Sequence, residues 1–542
     1  MKTFFLVIFL FFSLGELGAQ DRTVMVRETS IPILIERVDN EWMDLRIEAQ
    51  QGQVLNDVTL RFADGVRLKD IQSVKLFYSG TEAPDRKNRN LFTPINYISS
   101  MKPGDTFAAN ASYSVLKAEQ RVKGREVVLK ADQMLFPGTN FFWISLRMKP
   151  STPMLTQIEA EVVHARIDGQ EATLNTLNHG RHYVGVGVRH AGDDGAESFR
   201  IPGLVTTKKG TLLATYDVRY NSSKDLQEYV EIGLSRSMDG GKSWEKMRVP
   251  MSMGQYGGLP KAQNGVGDPA ILVDEKTGTI WIMAIWLHGA GNGAAWWNSF
   301  PGMDRYHTAQ LLVVKSEDDG RTWLDPMNIT EQVKDPSWYL LLQGPGRGIS
   351  MHDGTLVFAC QYIGADRMPN AGIIYSRDHG QTWQISSMAR SNTTEAQVAE
   401  VEPGVLMLNM RDNRGGSRAV CTTIDLGRTW KEHVSSRGAL QEPICMASLI
   451  HVKAKDNVLG KDLLLFSNPN DPKKRHRITI KASLDGGVTW PTDHQLLLDE
   501  REGWGYSCLT MIDRETVGIL YESSVAHMTF QAIKLKDLIR GE

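Results

Sequence analysis

A carboxylate and a guanidinium are spaced so that one hairpin would set them face to face. Glu395 begins the run Glu-Ala-Gln-Val-Ala-Glu-Val, and Arg411 ends the run Val-Leu-Met-Leu-Asn-Met-Arg. If a three-residue turn pairs position 401 with position 405, Glu395 lies opposite Arg411 on one side of the hairpin. The spacing alone predicts a cross-strand ion pair, which a bulge in the turn would shift.

A second arginine lies in the short sequence Phe-Arg-Ile-Pro at residues 199–202. Arg200 carries a permanent charge, stands between two apolar neighbours and precedes a rigid proline. Four residues alone indicate an arginine at the end of a strand, paired with a surface carboxylate. A more specific interpretation depends on the repeats in the later part of the chain.

One eight-residue motif with the pattern Ser/Thr-x-Asp-x-Gly-x-Ser/Thr-Trp recurs after residue 202. The aspartate can accept bonds from its own turn, the glycine permits positive φ, and the tryptophan can pack between sheets. Successive copies are 47 to 79 residues apart, which predicts a β-propeller of short antiparallel strands. The copies are Ser237–Trp244, Ser316–Trp323, Ser376–Trp383, Thr423–Trp430 and Ser483–Trp490.

The part of the chain before the repeats also has β patterning, but it has no visible repeat. Val74, Leu76 and Tyr78 alternate with other side chains, and turn sequences bound such runs, which predicts a β-sandwich. Two interpretations remain open for this part: a spacer, or a carbohydrate-binding module with exposed aromatic residues such as Tyr78 or Trp143. This part offers no converging polar residues, so the functional residues are expected later in the chain. A shortened chain that begins near Tyr183 is therefore expected to keep whatever activity those residues have.

Composition limits the compartment and the partners. Residues 1–19 have the pattern of a secretory signal, with Lys2 before an apolar run and small residues before Gln20. The formal net charge of −2 favours neither nucleic acid nor an anionic membrane as a partner. No metal-binding pattern is present, and we expect no metal and no cofactor. The four cysteines are expected to be buried thiols.

Together, the Phe-Arg-Ile-Pro motif and the five repeats closely resemble the exo-sialidases (neuraminidases) of bacteria and animals. The resemblance covers about residues 183–542. It implies an all-β fold in which a six-bladed β-propeller follows the smaller β-sandwich. The expected organisation is a signal peptide at 1–19, a sandwich domain at 20–178 and a catalytic propeller at 179–542. Three arginines of such a propeller would bind the carboxylate of sialic acid.

The resemblance also implies roles for individual residues. Arg200 and Arg411 match two arginines of the family, and the third is Arg475 or, as a less well matched candidate, Arg477. Asp225, on a loop after Arg200, is the expected acid/base, and Asp217 on the preceding strand is its rival. The remaining matches are the glutamate Glu395, the nucleophile Tyr506 in Gly-Tyr-Ser, the glutamate Glu522 that braces Arg200, and the further substrate-binding residues Arg219 and Asp268.

The implied activity is a retaining exo-α-sialidase that removes terminal sialic acid from glycoproteins, glycolipids and oligosaccharides. We expect an exported monomer, periplasmic or extracellular, that has sialylated glycans as partners and no membrane span. A near alternative is a sialidase that transfers sialic acid or forms an anhydro product. A different class is a non-catalytic glycan-binding propeller, which could dispense with the acid and the nucleophile. Linkage preference stays open.

Overall fold

The computed structural model describes residues 22–81, 114–291 and 293–539, so the expected signal segment lies outside the described residues. Strands make up most of the regular structure. The α-helices are single turns at Ala295–Asn298, Thr330–Val333 and Leu535–Leu538. Short 3-10 helices lie at Leu68–Asp70, Asp193–Gly195, Tyr256–Gly258, Lys261–Gln263, Ala454–Asp456 and Thr492–His494.

The first part of the chain forms two sheets that pack face to face. One sheet has the strand order β12-β1-β3-β8-β5-β6 and the other has the order β11-β10-β4-β7. Alternating apolar side chains from both sheets fill one core, as Leu45, Leu60 and Leu129 illustrate. The strands are β1 (Thr23–Glu28), β2 (Ile33–Leu34), β3 (Asn40–Ala49), β4 (Val54–Phe62), β5 (Ile71–Gly80), β6 (Val115–Arg121), β7 (Glu126–Met134), β8 (Gly138–Met148), β9 (Gln157–Ile158), β10 (Ala160–Ile167), β11 (Gln170–Glu171) and β12 (Thr173–Thr176).

The aromatic residues expected to be exposed on this sandwich are buried. Tyr78 is 8% exposed and donates its hydroxyl hydrogen to Asn140 Oδ1 over 2.9 Å. Trp143 is 3% exposed and stacks on Phe77 with ring centroids 4.1 Å apart. Large apolar rings on neighbouring strands gain more from packing together than from facing water. Neither ring is therefore available as a sugar-binding platform, and the expectation that these two aromatic residues are exposed was wrong.

The rest of the chain forms six mainly antiparallel sheets arranged in a ring and a separate two-stranded sheet. Its strands are β13 (His182–Arg189), β14 (Ser198–Thr206), β15 (Leu212–Arg219), β16 (Val230–Ser237), β17 (Arg248–Met251), β18 (Val266–Val273), β19 (Ile280–Trp286), β20 (Gln310–Ser316), β21 (Met327–Asn328), β22 (Leu340–Gln343), β23 (Gly346–Arg347), β24 (Ile349–Ser350), β25 (Leu356–Ile363), β26 (Pro369–Ser376), β27 (Gln384–Ile385), β28 (Arg390–Ser391), β29 (Thr393–Glu402), β30 (Val405–Asp412), β31 (Gly416–Ser417), β32 (Ala419–Thr423), β33 (Lys431–Glu432), β34 (Gln441–Glu442), β35 (Ser448–Val452), β36 (Leu463–Pro469), β37 (Ile478–Ser483), β38 (Gln495–Asp499), β39 (Ser507–Met511), β40 (Thr516–Tyr521) and β41 (Met528–Lys534).

Contacts between strands of neighbouring sheets close the ring. Strand β14 contacts β18, and the contacts continue through β25, β29 and β35 to β39, which returns to β14. The last sheet is completed by the first strand of this part, because β13 pairs with β41. Closing the ring with a strand from the opposite end of the chain leaves no free edge between the first and last sheets. The all-β fold with a six-bladed propeller is confirmed.

The repeated motif is a turn closed by its own aspartate. Asp318 Oδ1 accepts the backbone N–H of Thr322 at 2.9 Å, and its Oδ2 accepts the Thr322 hydroxyl at 2.7 Å. Slight burial opposes the effect, but these bonds lower the pKa of Asp318 to about 2. The other four copies have the same pair of contacts, at Asp239, Asp378, Asp425 and Asp485.

The glycine and tryptophan of the motif join neighbouring sheets. Gly241 has φ of +90°, and a Cβ atom there would lie 1.9 Å from the ring of Phe530 on β41. Trp244 meets the same ring edge-on, with centroids 5.3 Å apart. Trp383 in the third copy likewise contacts Trp281 on β19 with centroids 5.9 Å apart. These contacts confirm that two of the tryptophans pack against a different sheet from their own.

The sandwich and the propeller share backbone pairing as well as side-chain contacts. Strand β13 pairs in parallel with β2 and antiparallel with β9, both of which belong to the first part of the chain. Ile31 and Leu34 pack with Val525 and Ala526 of the propeller. Residues of the first part therefore extend the sheet that closes the ring.

The cysteines and the helices of this fold concern two expectations drawn from the sequence. The four cysteines are buried and none forms a disulfide, as expected. Among the described residues, helices long and apolar enough to cross a bilayer are absent.

One lysine is buried in the fifth blade of the propeller. Lys481 on β37 is 2% exposed, and its Nζ lies 5.7 Å from the centroid of the Phe466 ring. None of the described carboxylates lies within ion-pair distance of it. Burial lowers the pKa of Lys481 from 10.5 to about 7, because the cation loses its hydration.

We expect Lys481→Met to stabilise the protein, since methionine fills the same space without a charge to desolvate. The unfolded chain binds more protons than the folded one between pH 7 and 10.5, so wild-type stability rises with pH there. The gain should be on the order of 2–4 kcal/mol near pH 6 and smaller near pH 9. Denaturant unfolding at both pH values measures it, with the exposed Lys473→Met as control. A variant that is less stable than wild type at both would contradict the assignment.

Candidate active site

Side chains from four blades meet around one buried tyrosine. Tyr506 directly precedes β39 and is 6% exposed. Its hydroxyl donates to Glu395 Oε1 at 2.6 Å and accepts from Arg411 Nη1 at 3.2 Å. The guanidinium carbons of Arg200 and Arg475 lie 5.3 and 5.8 Å from the centroid of its ring. The sequence-predicted nucleophile, glutamate and three arginines are thus brought together.

The environment of the phenol holds its proton until a base removes it. Burial raises the pKa of Tyr506 well above its ordinary value, and the negative charge of Glu395 raises it further. The cation of Arg411 acts in the opposite direction. A neutral phenol with a carboxylate at hydrogen-bond distance has the geometry of a nucleophile and its general base.

The hairpin that carries Glu395 and Arg411 has the predicted register over its centre, but not at its ends. Ala396 pairs with Met410, as predicted, and this register continues along the strands. The turn itself is tighter than expected, since Glu402 pairs with Val405, and a bulge next to Glu402 restores the register. A second irregularity removes Glu395 from the ladder, yet its Oε2 accepts from Arg411 Nη1 at 2.5 Å. The predicted ion pair is confirmed.

Arg200 is held by one carboxylate and two rings. Its Nε donates to Glu522 Oε1 at 2.9 Å, and its guanidinium carbon lies 4.9 Å from the centroid of the Trp504 ring. Burial lowers the pKa of Arg200, but the charge and hydrogen bond of Glu522, together with Tyr506 and Asp225, outweigh burial and the pKa is raised. The arginine therefore stays charged inside the cleft, as the resemblance of Glu522 to a bracing glutamate implied.

The backbone at Arg200 departs from regular strand geometry. Ile201 has φ of +62°, which is rare for a β-branched residue. A bulge lies between Arg200 and Gly203, and the Ile201 N–H donates to Glu522 Oε1 at 3.0 Å. Glu522 Oε2 also accepts the backbone N–H of Tyr506 at 3.0 Å. One buried carboxylate thus sets the strained backbone at Arg200 and the position of the tyrosine.

The structure separates the two candidates for the third arginine. Arg475 donates to the carbonyl oxygens of Trp504 at 3.2 Å and Ile444 at 2.9 Å, and it faces Tyr506. Arg477, two residues later, is exposed and has φ of +60°. The side chain that reaches the cleft is that of Arg475.

Asp225 and Asp217 lie on the two sides of Arg219. Arg219 Nη1 donates to Asp225 Oδ1 at 2.8 Å, and its Nη2 donates to Asp217 Oδ2 at 2.8 Å. The Asp225 side chain is 72% exposed, whereas that of Asp217 is 2% exposed. Asp225 also lies 3.9 Å from Arg200 Nη1. Of the two rivals, the accessible carboxylate is Asp225, and Asp217 serves to hold Arg219.

These carboxylates have different proton affinities. Desolvation in the cleft raises the pKa of Asp225, but the cations Arg219 and Arg200 outweigh it, and the pKa is lowered. Burial raises the pKa of Asp217 to about 6, against the opposing charge of Arg219. Asp268 donates its backbone N–H to Asp217 Oδ1 at 2.8 Å. Burial and the nearby charge of Asp217 raise the pKa of Asp268 well above its ordinary value.

Two residues of the site were missed from the sequence. Trp504 covers Arg200, and its carbonyl oxygen receives Arg475. Cys445 packs with Tyr506 and Ile201 and donates its Sγ hydrogen to the Trp504 oxygen at 3.6 Å. Trp504 stands two residues before Tyr506 in Gly-Trp-Gly-Tyr, which was the available signal. Nothing in the sequence around Cys445 indicated its position.

Comparisons with known proteins agree with this geometry. The family described as the N-terminal domain of BNR-repeat neuraminidase matches residues 21–171, and the family described as the BNR repeat-like domain matches residues 201–509. The chain is 65% identical over 520 residues to a sialidase of Bacteroides fragilis, which covers 96% of each protein. The chain belongs to the sialidase family. It is a glycoside hydrolase, an exo-α-sialidase.

A more distant sialidase and a solved structure extend the comparison. A sialidase of Micromonospora viridifaciens is 32% identical over 61% of this chain and 50% of its own length. The solved structure of a Hadza microbial sialidase is 59% identical, with a TM-score of 0.91 over 94% of this chain and 99% of that one. The sialidase fold therefore covers both the sandwich and the propeller.

The two nearby arginines allow a matched test. We expect Arg475→Ala to remove most of the sialidase activity and Arg477→Ala to leave it nearly unchanged, because only Arg475 reaches the cleft. Steady-state kinetics on an aryl sialoside measures both. A loss of activity in Arg477→Ala alone would mean that the wrong arginine was assigned.

We expect Arg411→Lys to weaken substrate binding by several-fold to hundreds-fold, roughly 1–3 kcal/mol, because lysine keeps the charge but loses the planar fork. The inhibition constant of a sialic-acid analogue measures this loss, and a melting curve shows whether the variant is folded. Unchanged inhibition in a folded variant would contradict the assignment.

Proposed function

We propose that this protein is a secreted, retaining exo-α-sialidase that uses Tyr506 as its nucleophile and Glu395 as the base for that tyrosine. The observation that carries the proposal is the 2.6 Å hydrogen bond from the Tyr506 hydroxyl to Glu395, next to three arginines. The chain's substrate would be terminal sialic acid on glycoproteins, glycolipids and oligosaccharides.

The chemistry of the substrate explains this set of residues. Sialic acid carries a carboxylate on its anomeric carbon, and guanidinium groups bind carboxylates through paired, charge-assisted hydrogen bonds. A carboxylate nucleophile would be repelled by that carboxylate, whereas a neutral phenol is not. Sialidases with a tyrosine nucleophile are known exceptions to the two-carboxylate mechanism of glycosidases. Arg200, Arg411 and Arg475 would bind the carboxylate while Tyr506 attacks.

The attack requires the phenol proton to leave as the new bond forms. Glu395 would accept that proton, because its Oε1 lies within hydrogen-bond distance of the phenol oxygen. Arg411 contacts both the Glu395 carboxylate and the Tyr506 oxygen, so its cation would stay close to the negative charge as that charge moves from the carboxylate to the phenol. The bond from the anomeric carbon to the departing sugar oxygen breaks in the same step. A sugar covalently attached to Tyr506 would result, and its hydrolysis in a second displacement would retain the configuration.

Asp225 is the proposed acid for the first step and the base for the second. Its pKa is lowered because the cations Arg219 and Arg200 outweigh its desolvation, which opposes its role as an acid. A substrate carboxylate bound at Arg200 would offset that cation and raise the pKa of Asp225 toward the protonated form. Arg219 donates to Asp225, and Asp268 donates its backbone N–H to Asp217. The proposed role of their side chains is contact with polar groups of the sugar.

The remaining parts of the proposal concern compartment and assembly. The signal-like residues 1–19 support export to the periplasm or beyond the cell. We propose that the enzyme acts as a monomer, because one chain by itself supplies the nucleophile, its base and the three arginines. Whether the released sugar is hydrated or an anhydro form is decided by product analysis.

A fluorinated substrate tests the nucleophile. Fluorine beside the anomeric centre slows both steps, and a good leaving group lets the first step proceed, so the covalent intermediate accumulates. Mass spectrometry after digestion should find the added sugar on the peptide that contains Tyr506. Label on Glu395 or Asp225, or the β-anomer of free sialic acid as first product by NMR, would exclude this mechanism.

Substitutions test the separate roles of the three residues. Tyr506→Phe should keep the fold and lose most turnover, and Glu395→Gln should slow the first step because the amide cannot accept the phenol proton. Asp225→Asn should reduce the rate for poor leaving groups much more than for activated aryl sialosides, since only the former need protonation. Rates for a series of leaving groups measure this. An equal loss across the series would contradict the role of Asp225 as the acid.

A further inference from the structure

The chain that links β38 to the nucleophile is held at its start by the sandwich. Residues 499–506, the linking segment, run from the end of β38 to Tyr506. Arg501 Nη2 lies 2.5 Å from Glu41 Oε1, and Arg27 forms an ion pair with Glu500. The Glu500 backbone N–H donates to the Ser30 carbonyl at 2.8 Å. All three contacts join the segment to residues of the sandwich or its first loop.

The Glu41–Arg501 pair is almost completely buried. The side chain of Glu41 is 1% exposed and that of Arg501 is 16% exposed. Asp44, on the same strand β3, is 3% exposed and lies 4.0 Å from Arg27 Nη1. Burying charges carries a large desolvation penalty, so such a pair adds little net stability compared with apolar residues. Its geometric effect is a directional, fixed contact that apolar packing would not provide.

The other end of the linking segment forms part of the active site. The Trp504 ring lies over Arg200, and the Trp504 carbonyl accepts from Arg475 Nη1 at 3.2 Å. The Gly503 N–H donates to the Arg475 carbonyl at 3.0 Å. Gly505 has φ of +90°, and a Cβ atom there would lie 2.8 Å from Pro469, so a residue with a side chain does not fit at this position.

A second connection joins the start of the segment to Glu522. Asp499 Oδ1 accepts the Arg501 N–H at 3.1 Å, and its Oδ2 accepts the Ser524 N–H at 2.7 Å. Ser524 is two residues beyond Glu522, which binds Arg200 and the Tyr506 backbone. Displacement of Arg501 would therefore act on the nucleophile through the linking segment and also through the strand end that carries Glu522.

We propose that Glu41 and Arg501 are positioning residues, through which the sandwich sets the place of Tyr506 and of the arginines that bind the carboxylate. The inference rests on the proposed function, because it assigns Tyr506 the nucleophilic role. It also reverses the expectation that a chain beginning near Tyr183 keeps activity, since such a chain lacks Glu41 and the backbone partner of Glu500.

Full-length variants with one partner changed test this role. Glu41→Gln removes the carboxylate charge at constant shape, Arg501→Met removes the cation, and Arg501→Lys keeps the cation. Glu126→Gln is the matched control, because Glu126 pairs with Arg61 on the exposed face of the same sandwich. The fluorinated sialoside counts competent sites, so turnover of an aryl sialoside is expressed per labelled site. Melting curves establish that each variant is folded at the assay temperature.

We expect turnover per labelled site to fall about 10- to 100-fold in Glu41→Gln and Arg501→Met, because small misplacements of reacting groups have effects of this size. Arg501→Lys should recover part of the loss, and Glu126→Gln should match wild type. The double variant Glu41→Gln/Arg501→Met should lose no more than the worse single variant, because the two residues act as one unit.

A purely structural role would give a different result. It would lower the melting temperature and the labelled fraction but leave turnover per labelled site unchanged, which would overturn the proposal. If Glu41→Gln fails to fold, wild-type turnover per site in Arg501→Lys and Arg501→Met would overturn it equally. Label on a residue other than Tyr506 in the wild type would refute the proposed nucleophile instead, because the label still counts competent sites.

Discussion

Three guanidinium groups around one buried phenol are stable only if carboxylates or carbonyl oxygens of the protein hold them before any substrate arrives. Glu522 has this role for Arg200, and Glu395 has it for Arg411. Arg475 has no such carboxylate within ion-pair distance among the described residues and is held by carbonyl oxygens of the main chain. The like charges would otherwise repel one another in a cleft of low polarity. The arrangement leaves a net positive site that a single carboxylate can complete.

The same bracing carboxylates also have mechanical and chemical roles. Glu522 accepts the backbone N–H groups of Ile201 and Tyr506. One side chain therefore fixes both the strained backbone at Ile201 and the residue that directly precedes β39. Glu395 is both the partner of Arg411 and the acceptor for the tyrosine hydroxyl. Because each carboxylate has two oxygens with separate partners, the site couples arginine position to tyrosine position. A loss at either glutamate is therefore expected to affect binding and turnover together.

The sandwich contributes to this site without lining it. Strands β2 and β9 of the first part of the chain pair with β13, and Glu41 of the sandwich holds Arg501 five residues before Tyr506. Under the proposed positioning role, these buried polar contacts make the sandwich more than a separable appendage, against the expectation drawn from its lack of cleft residues. The buried positions of Tyr78 and Trp143 leave packing, rather than sugar binding, as the role of those rings.

Local chemistry made much of this protein predictable from its sequence. The aspartate, glycine and tryptophan of the repeated motif interact within a few residues, and their spacing indicated the propeller. The hairpin register that joins Glu395 to Arg411 is likewise a local property, although the tight turn at Glu402 and its compensating bulge were not foreseen. Arg200, Tyr506 and Glu522 were recognised through resemblance, since no local rule connects residues so far apart.

Other features depended on the closed ring and on its contact with the sandwich. Sequence spacing left Arg475 and Arg477, and Asp225 and Asp217, as rivals, because exposure depends on which way a strand end turns. Trp504, Cys445 and the Glu41–Arg501 pair come together only when distant segments pack. The sequence by itself determined the turns and short-range pairs, whose energies depend on neighbours along the chain. Only the tertiary structure decided which charges are buried and which face the cleft, because desolvation depends on the whole surrounding volume.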